Sequence, residues 1–226
     1  MIKICPSLMC ADFSKLKDEI TELENAGADM FHLDIMDGKF VPNFALGLED
    51  VKAVSKLASI PLDVHLMVEE PENYIEKFLI YGCKILYVHL EACKHISRTL
   101  LKIKENKVEV GLALNPGTSI ALIEEVLEYI DCILVMAVNP GFAGQKFIES
   151  TVNKVARLKE LIDKKNYNIK IAVDGSINEK NINKLYNAGA EYFIVGTAGL
   201  FNNRSYAENI HKLKTSIFMP GRKIKT

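Results

Sequence analysis

The stretch Phe31-His32-Leu33-Asp34-Ile35-Met36-Asp37 puts one imidazole and two carboxylates within six positions, where an apolar run meets Gly38. On a strand, His32 and Asp34 are two apart and point to the same side. Two further groups stand at comparable points: His65 in Pro61-Leu-Asp-Val-His-Leu-Met67, and Asp174 closing Ile169-Lys-Ile-Ala-Val-Asp174. Together they make two imidazoles and two carboxylates. That mixed nitrogen and oxygen set suits zinc, cobalt, manganese or iron(II), and is too nitrogen-rich for a magnesium or calcium cage. Each residue also has a plainer reading. A single histidine at a strand end is commonly a hydrogen-bonded structural residue, and Asp37-Gly38 and Asp174-Gly175 are turn-forming pairs. His89 and Glu91, in Val88-His-Leu-Glu-Ala92, form a competing pair whose spacing also suits a metal.

A second constellation is rich in glycine. Asn139-Pro-Gly141-Phe142-Ala143-Gly144-Gln-Lys-Phe147, Asp174-Gly175-Ser176 and Gly196-Thr197-Ala-Gly-Leu-Phe201 each follow an apolar run. Glycine lets backbone N–H groups approach an anion closely, and Ser176 and Thr197 add hydroxyl donors, so three such loops together suit a phosphate. A third feature is Met36, Met67 and Met136, each at or just past a run that carries or neighbours one of the polar groups. Methionine is ordinarily core filler, but three near one rim would line a water-poor pocket.

These groups need a frame that brings separate segments to one place. Strand-like runs are read at Lys3–Cys5, Met30–Asp34, Leu62–Met67, Ile85–His89, Glu109–Leu114, Cys132–Met136, Ile169–Val173 and Tyr192–Val195. Several are continuously apolar, as parallel strands buried on both faces are. Amphipathic segments lie between them, including Leu16–Ala26 and Ile120–Tyr129. Ala26-Gly27, Tyr81-Gly82 and Ala188-Gly189 read as helix C-terminal caps leading into strands. Eight strand–helix alternations in this length predict a (β/α)8 barrel, over residues 1–218, with 219–226 as a basic C-terminal tail. An open doubly wound sheet shares the alternation. The barrel has a consequence that can be checked against the sequence: the polar groups should fall at the C-terminal ends of strands, and Ser7, His32, Asp34, His65 and Asp174 do.

Bulk properties exclude some functions. The 226 residues carry 28 basic and 29 acidic side chains, a net charge of −1, which gives no general attraction to nucleic acid or to an anionic membrane. No stretch is long and apolar enough to span a bilayer. The start, Met1-Ile-Lys-Ile-Cys-Pro6, reads as a strand and not as a signal peptide, so a cytoplasmic address is expected. Cys5, Cys10, Cys83, Cys93 and Cys132 have no metal-type or redox-type spacing and fit a reducing compartment.

A metal, two carboxylates and a phosphate cradle in one pocket suit a small phosphorylated ketose. A divalent metal would polarise the C2 and C3 oxygens while one carboxylate takes the C3 proton from one face and the other delivers a proton to the opposite face. Asp34 and Asp174, from different parts of the ring, are candidates for that pair. A non-catalytic sugar-phosphate binder, or a lyase or decarboxylase barrel, is the rival class.

The chain resembles the ribulose-phosphate 3-epimerase family over nearly its whole length, through PSLMCADF at Pro6, FHLDIMDGKFVPN at Phe31, PLDVHLM at Pro61, VNPGFAGQKFI at Val138, VDGSIN at Val173 and VGTAGLF at Val195. The resemblance implies a (β/α)8 barrel with one divalent metal on His32, Asp34, His65 and Asp174, and Asp34 and Asp174 as the acid/base pair. It implies that Ser7 and His65 face the sugar, that Met36, Met67 and Met136 line the site, and that the phosphate meets Gly141, Phe142, Ala143, Gly144, Gly175, Ser176, Gly196 and Thr197. It leaves His89 and Glu91 outside the ligand set and makes Asp37 a turn residue. The chain departs from the family pattern at Cys10, Ser176 and Gly199-Leu200-Phe201, where ribulose-phosphate epimerases have a serine, a glycine and a smaller turn. These variants resemble the allulose-6-phosphate 3-epimerase branch, so the expected substrate is D-allulose 6-phosphate, with D-ribulose 5-phosphate as the alternative. The expected partner is that small molecule, in a chain expected to form a homo-oligomer.

Overall fold

Eight parallel strands form one sheet in the order β1-β8-β7-β6-β5-β4-β3-β2. They are β1 (Lys3–Pro6), β2 (Phe31–Met36), β3 (Leu62–Met67), β4 (Ile85–His89), β5 (Glu109–Leu114), β6 (Cys132–Met136), β7 (Lys170–Asp174) and β8 (Tyr192–Val195). The computed structural model describes residues 2–218; the basic tail expected at 219–226 lies outside the described residues. Helices follow the strands: α1 (Leu16–Asn25), α2 (Leu48–Leu57), α3 (Ile75–Leu79), α4 (Ile96–Glu105), α5 (Ser150–Lys164), α6 (Ile182–Asn187) and α7 (Tyr206–Phe218). The chain is thus a (β/α)8 barrel.

The sheet closes between its first two strands at the site itself. Ser7 and His32 form a parallel bridge. Below them Asp29 N donates to the Ile4 carbonyl, and Ile4 N donates to the Asp29 carboxylate, each at 2.9 Å. The seam therefore ends on two of the residues singled out for chemistry.

Alternation explains how buried strands carry polar groups without disturbing the outer core. Leu33, Ile35, Val64, Leu66, Leu86, Val88, Ile171 and Val173 face outward and pack under the helices. Their neighbours at the alternate positions face the barrel interior. There Cys5, Met30, Tyr87, Leu134, Met136 and Ile194 form an apolar plug that reaches the level of Asp174 on β6 and β8. Beside and above this apolar plug the inward positions of β2, β3 and β7 turn polar.

Two expectations shift in detail. β1 and β2 run one and two residues further than the apolar runs indicated, and β7 runs from Lys170 to Asp174. The segment Ile120–Tyr129 is a run of 3₁₀ turns and not an α-helix. Its apolar residues Ile120, Ile123 and Val126 recur every three positions, which stacks them on one face at three residues per turn. The cap glycines behave as read: Gly27, Gly82 and Gly189 have φ of +88°, +77° and +110°, a region that costs other residues energy.

Candidate active site

β2 sends His32 and Asp34 inward, β3 sends Asp63 and His65, and β7 ends on Asp174. Hydrogen-bonded register places His32 beside Asp63 and Asp34 beside His65. His32 Nε2 lies 3.2 Å from Asp34 Oδ1 and 3.3 Å from His65 Nδ1, and His65 Nδ1 lies 3.3 Å from Asp34 Oδ1. Asp174 completes a cluster whose ligand atoms all lie within 4.8 Å of one another. The four residues expected to share a metal are therefore brought together.

The cluster fits one divalent metal ion. Bond lengths of about 2.0–2.2 Å to zinc require ligand–ligand separations of about 3.3–3.6 Å in a tetrahedral shell. The three closest atoms already stand at 3.2–3.3 Å. The charge pattern agrees. Burial works against a charged His32, but Asp63 and Asp34 outweigh it and hold the ring well above the ordinary imidazole range. Two carboxylates that retain a proton there would attract a cation in the same place. His65 differs: burial brings it down to about 3, so it is a neutral ring with a lone pair to offer.

The two carboxyls are pushed apart. Burial acts to raise Asp34, but the charge of His32 overcomes it and holds this group well below the usual carboxylate range. Burial, reinforced by the charge of Asp34, pushes Asp174 up to about 7. One acid is ionised and the other can carry a proton near neutrality, the arrangement that acid/base pairs need. Ser7 Oγ donates to Asp34 Oδ2 at 2.5 Å, which fixes the orientation of that carboxylate.

Each imidazole has a polar group behind it. Asp63, fully buried, brings Oδ1 to 2.5 Å from His32 Nδ1; the pair is a close ionic contact and not an aligned hydrogen bond. Sequence reasoning passed over Asp63. Its signal was present: an acid two positions before His65, on the same face of an apolar strand. Behind His65 stands the pair that had competed for the metal. His65 Nε2 lies 2.8 Å from His89 Nε2, and His89 Nδ1 lies 3.2 Å from Glu91 Oε2. His89 and Glu91 thus lie beyond His65 and outside the four-residue cluster.

Above the cluster is a small pocket, open at its mouth. Ser7, Asp34, Met36, Met67 and Asp174 line it on one side. Phe142, Ala143, Gly144, Gly175, Ser176, Gly196 and Thr197 line it on the other. His32 and His65 lie fully buried beneath. Cys10 is on the wall; burial, then the charge of Asp34, pushes its thiol up to about 11, so it is neutral. Two expected lining residues sit elsewhere. Met136 is inward-facing and level with Asp174 but packs into the apolar plug, and Gly141 lies behind the wall, where a Cβ would come within 3.1 Å of Val41.

The loops are held by side chains that bond to backbone. Gln145 Nε2 donates to the carbonyls of Asn139 and Phe142, and Asn43 Nδ2 donates to that of Gly141. Asn178 and Asn181 both donate to the Ser176 carbonyl. The N–H groups of Ser176 and Ala198 make no backbone hydrogen bond among the described residues and are free to meet an anion. Asp37 accepts from the amides of Lys39, Phe40 and Glu69, so it ties two rim loops together, as a turn residue would.

Comparison with known proteins agrees with this geometry. Residues 3–201 match the Ribulose-phosphate 3 epimerase family. A ribulose-phosphate 3-epimerase of Bacillus subtilis is 46% identical over 88% of this chain and 92% of its own length. Another from Aquifex aeolicus is 43% identical over 94% and 95%. Among solved structures, a 3-keto-L-gulonate-6-phosphate decarboxylase from Vibrio cholerae superposes over 96% of this chain and 97% of that one, with a TM-score of 0.69 and 14% identity, a likeness of fold alone. A barrel with this cluster at its rim, matched along almost all of its length to epimerases, belongs to the ribulose-phosphate 3-epimerase family of carbohydrate isomerases.

Proposed function

We propose that the chain interconverts D-ribulose 5-phosphate and D-xylulose 5-phosphate by moving a proton at C3, with His32, Asp34, His65 and Asp174 holding one zinc, cobalt, manganese or iron(II) ion. The observation that carries this reading is the pair of carboxyls facing one pocket from β2 and β7, Asp34 held ionised and Asp174 pushed up to about 7.

A divalent cation held by His32, Asp34, His65 and Asp174 would supply positive charge against the negative charge that builds on oxygen as the C3 proton leaves. The protein's own residues do the rest. Asp34, aimed by Ser7, takes the proton from one face, and Asp174 gives one to the other. Two groups on opposite sides are required, because one base would return the proton to the face it came from. In the reverse direction the roles exchange. Met36 and Met67, buried together with Val41, keep water from the reacting carbon. The amides of Ser176 and Ala198 and the hydroxyl of Thr197 receive the phosphate.

The pentulose is favoured over the hexulose by the relatives, which are named ribulose-phosphate 3-epimerases at 37–46% identity. One observation favours D-allulose 6-phosphate: Cys10 and Ser176, two of the three departures from the family pattern, both line the pocket. The test is kcat/KM for the two sugars on one metal-loaded sample. The proposal expects ribulose 5-phosphate to be the better substrate, and a higher value for allulose 6-phosphate would overturn it.

A further inference from the structure

Glu91 lies two side chains away from the cluster, and hydrogen bonds run from it in one direction only. Its Oε1 accepts from the Asn115 amide at 2.8 Å and from the Thr118 hydroxyl. The Asn115 amide is a donor in every state of the protein, and a carboxylate holding two donors is an acceptor on its other oxygen as well. That oxygen, Oε2, faces His89 Nδ1 at 3.2 Å, so Nδ1 carries the proton. A neutral imidazole has one N–H and one lone pair, which leaves the lone pair of His89 on Nε2. His89 Nε2 lies 2.8 Å from His65 Nε2, which must then be the donor. The same rule places the lone pair of His65 on Nδ1, which converges with Asp34 Oδ1 and His32 Nε2 at 3.2–3.3 Å; Asp34 competes for a proton on that atom, and a cation held between the three satisfies them all as acceptors.

We propose that Glu91, acting through His89, is a positioning residue that sets the tautomer of His65 so that Nδ1 presents its lone pair to the metal site. The inference rests on reading the cluster as a metal site. It makes the two ligating rings use opposite nitrogens. Asp63 stands at His32 Nδ1 and leaves Nε2 for the metal, whereas the chain through His89 leaves Nδ1 of His65. Partners behind a ligating histidine ordinarily fix its ring in this way. Here the fixing acceptor of His65 is another histidine, which has no preference of its own until Glu91 supplies one. Lys154 supports the arrangement from α5: its Nζ donates to the carbonyls of Asn115 and Pro116 at 2.7 and 2.8 Å and holds the loop that pins Glu91.

A swap of one atom reverses the chain. In Glu91→Gln the amide oxygen stays with the Asn115 and Thr118 donors, so the amide nitrogen falls opposite His89 Nδ1. Two donors then face each other unless His89 moves its proton to Nε2. That proton points at His65 Nε2, and His65 must move its own proton to Nδ1, where it blocks the metal.

Nitrogen-15 spectra of histidine-labelled, metal-free protein at neutral pH read each step. The wild type is expected to show His65 with a bare Nδ1 and a protonated Nε2, and His89 with the opposite pattern. Glu91→Gln is expected to invert both, and to weaken zinc binding about 10- to 100-fold in a competition with a chromophoric chelator. A wild-type His65 protonated on Nδ1 would overturn the proposal, with no variant needed. So would a folded Glu91→Gln protein with unchanged tautomers and zinc affinity. The metal reading fails separately: a wild type with the expected tautomers that binds none of zinc, cobalt, manganese or iron(II) leaves the relay standing and removes its purpose.

Discussion

The two sides of the pocket are built from different materials. On the side of β2, β3 and β7 the working atoms belong to side chains carried by strands, and the two imidazoles are fully buried. On the side of the loops after β6, β7 and β8 the working atoms are backbone amides. Glycines there adopt positive φ, +79° at Gly144 and +119° at Gly175, and Phe142 is 49% exposed. The difference follows from what the proposed reaction asks each side to hold. A cation and a moving proton need lone pairs fixed in direction, and strands with partners behind each ring provide that. A phosphate needs several N–H groups converging on one anion, which only closely approaching backbone can provide.

The sharpest way to break this contrast is to remove charge from the strand side. Asp34→Asn and Asp174→Asn are each expected to lower kcat by about 10³-fold or more, since positioned acid/base groups contribute about 10²–10⁴ and both residues also bear on the metal. In heavy water the wild type should place solvent deuterium at C3 of its product. Each variant should still exchange the C3 hydrogen of one epimer faster than that of the other. A variant within tenfold of wild type, by coupled assay, would remove its residue from the mechanism.

Metal removal is the next largest effect. Chelation should abolish activity, and readdition of zinc, cobalt, manganese or iron(II) should restore it. The affinity should rise with pH. The cation must displace a proton from His32, held above the ordinary range by Asp63 and Asp34, and from Asp174, pushed up to about 7. Each displaced proton adds up to about tenfold in affinity per pH unit while the pH lies below that group's pKa. Titration calorimetry at pH 6, 7 and 8 in buffers of different ionisation enthalpy would measure the protons released; zero release contradicts the charge assignment.

The loop side should respond to glycine substitutions by kind. A Cβ on Gly175 would lie 2.8 Å from the Val138 amide nitrogen, so Gly175→Ala must move the loop. Gly144 has open space around its Cβ position, so Gly144→Ala carries only the left-handed backbone cost of about 1–2 kcal/mol. Gly175→Ala is expected to raise KM by about tenfold or more with a smaller change in kcat, and Gly144→Ala to act chiefly on Tm. Equal KM effects in steady-state assays would mean that close approach is not what the loop glycines provide.

The same division explains what could be read from the sequence. His32, Asp34, His65 and Asp174 were legible because strand periodicity puts side chains two apart on one face and barrel topology puts strand ends on one rim. Asp63 was legible as an inward-facing acid, but its place beside His32 and the direction of the chain through His89 were not, since they depend on which residue of β3 stands beside which residue of β2 and β4. Period-two reasoning says that His89 faces inward; it does not say that His89 Nε2 ends 2.8 Å from His65 and outside the cluster. Met136 shows the converse limit, because an inward-facing residue at the right level is buried by the apolar plug. The 3₁₀ run at Ile120–Tyr129 was missed because a period of three and one of 3.6 are close over ten residues.

Ser176 joins the two questions left to the loop side, conformation and chain length. Its φ is +55°, a left-handed conformation in which the resembled ribulose-phosphate epimerases carry glycine. Two asparagines hold its carbonyl and keep it there. Ser176→Gly removes a steric cost of about 1–2 kcal/mol and returns part of it as unfolded-state entropy, about 0.5–1 kcal/mol. In a chain of this size the remainder should raise Tm by about 1–3 °C in a calorimetric scan. If the backbone amide is what receives the phosphate, the glycine supplies the same amide. The ratio of kcat/KM for ribulose 5-phosphate over allulose 6-phosphate should then stay within about threefold, well short of the roughly 10- to 200-fold that one carbon is worth in a pocket that discriminates it. A shift of tenfold or more toward ribulose 5-phosphate would make the hydroxyl a selector of chain length, acting against the five-carbon sugar in the native chain.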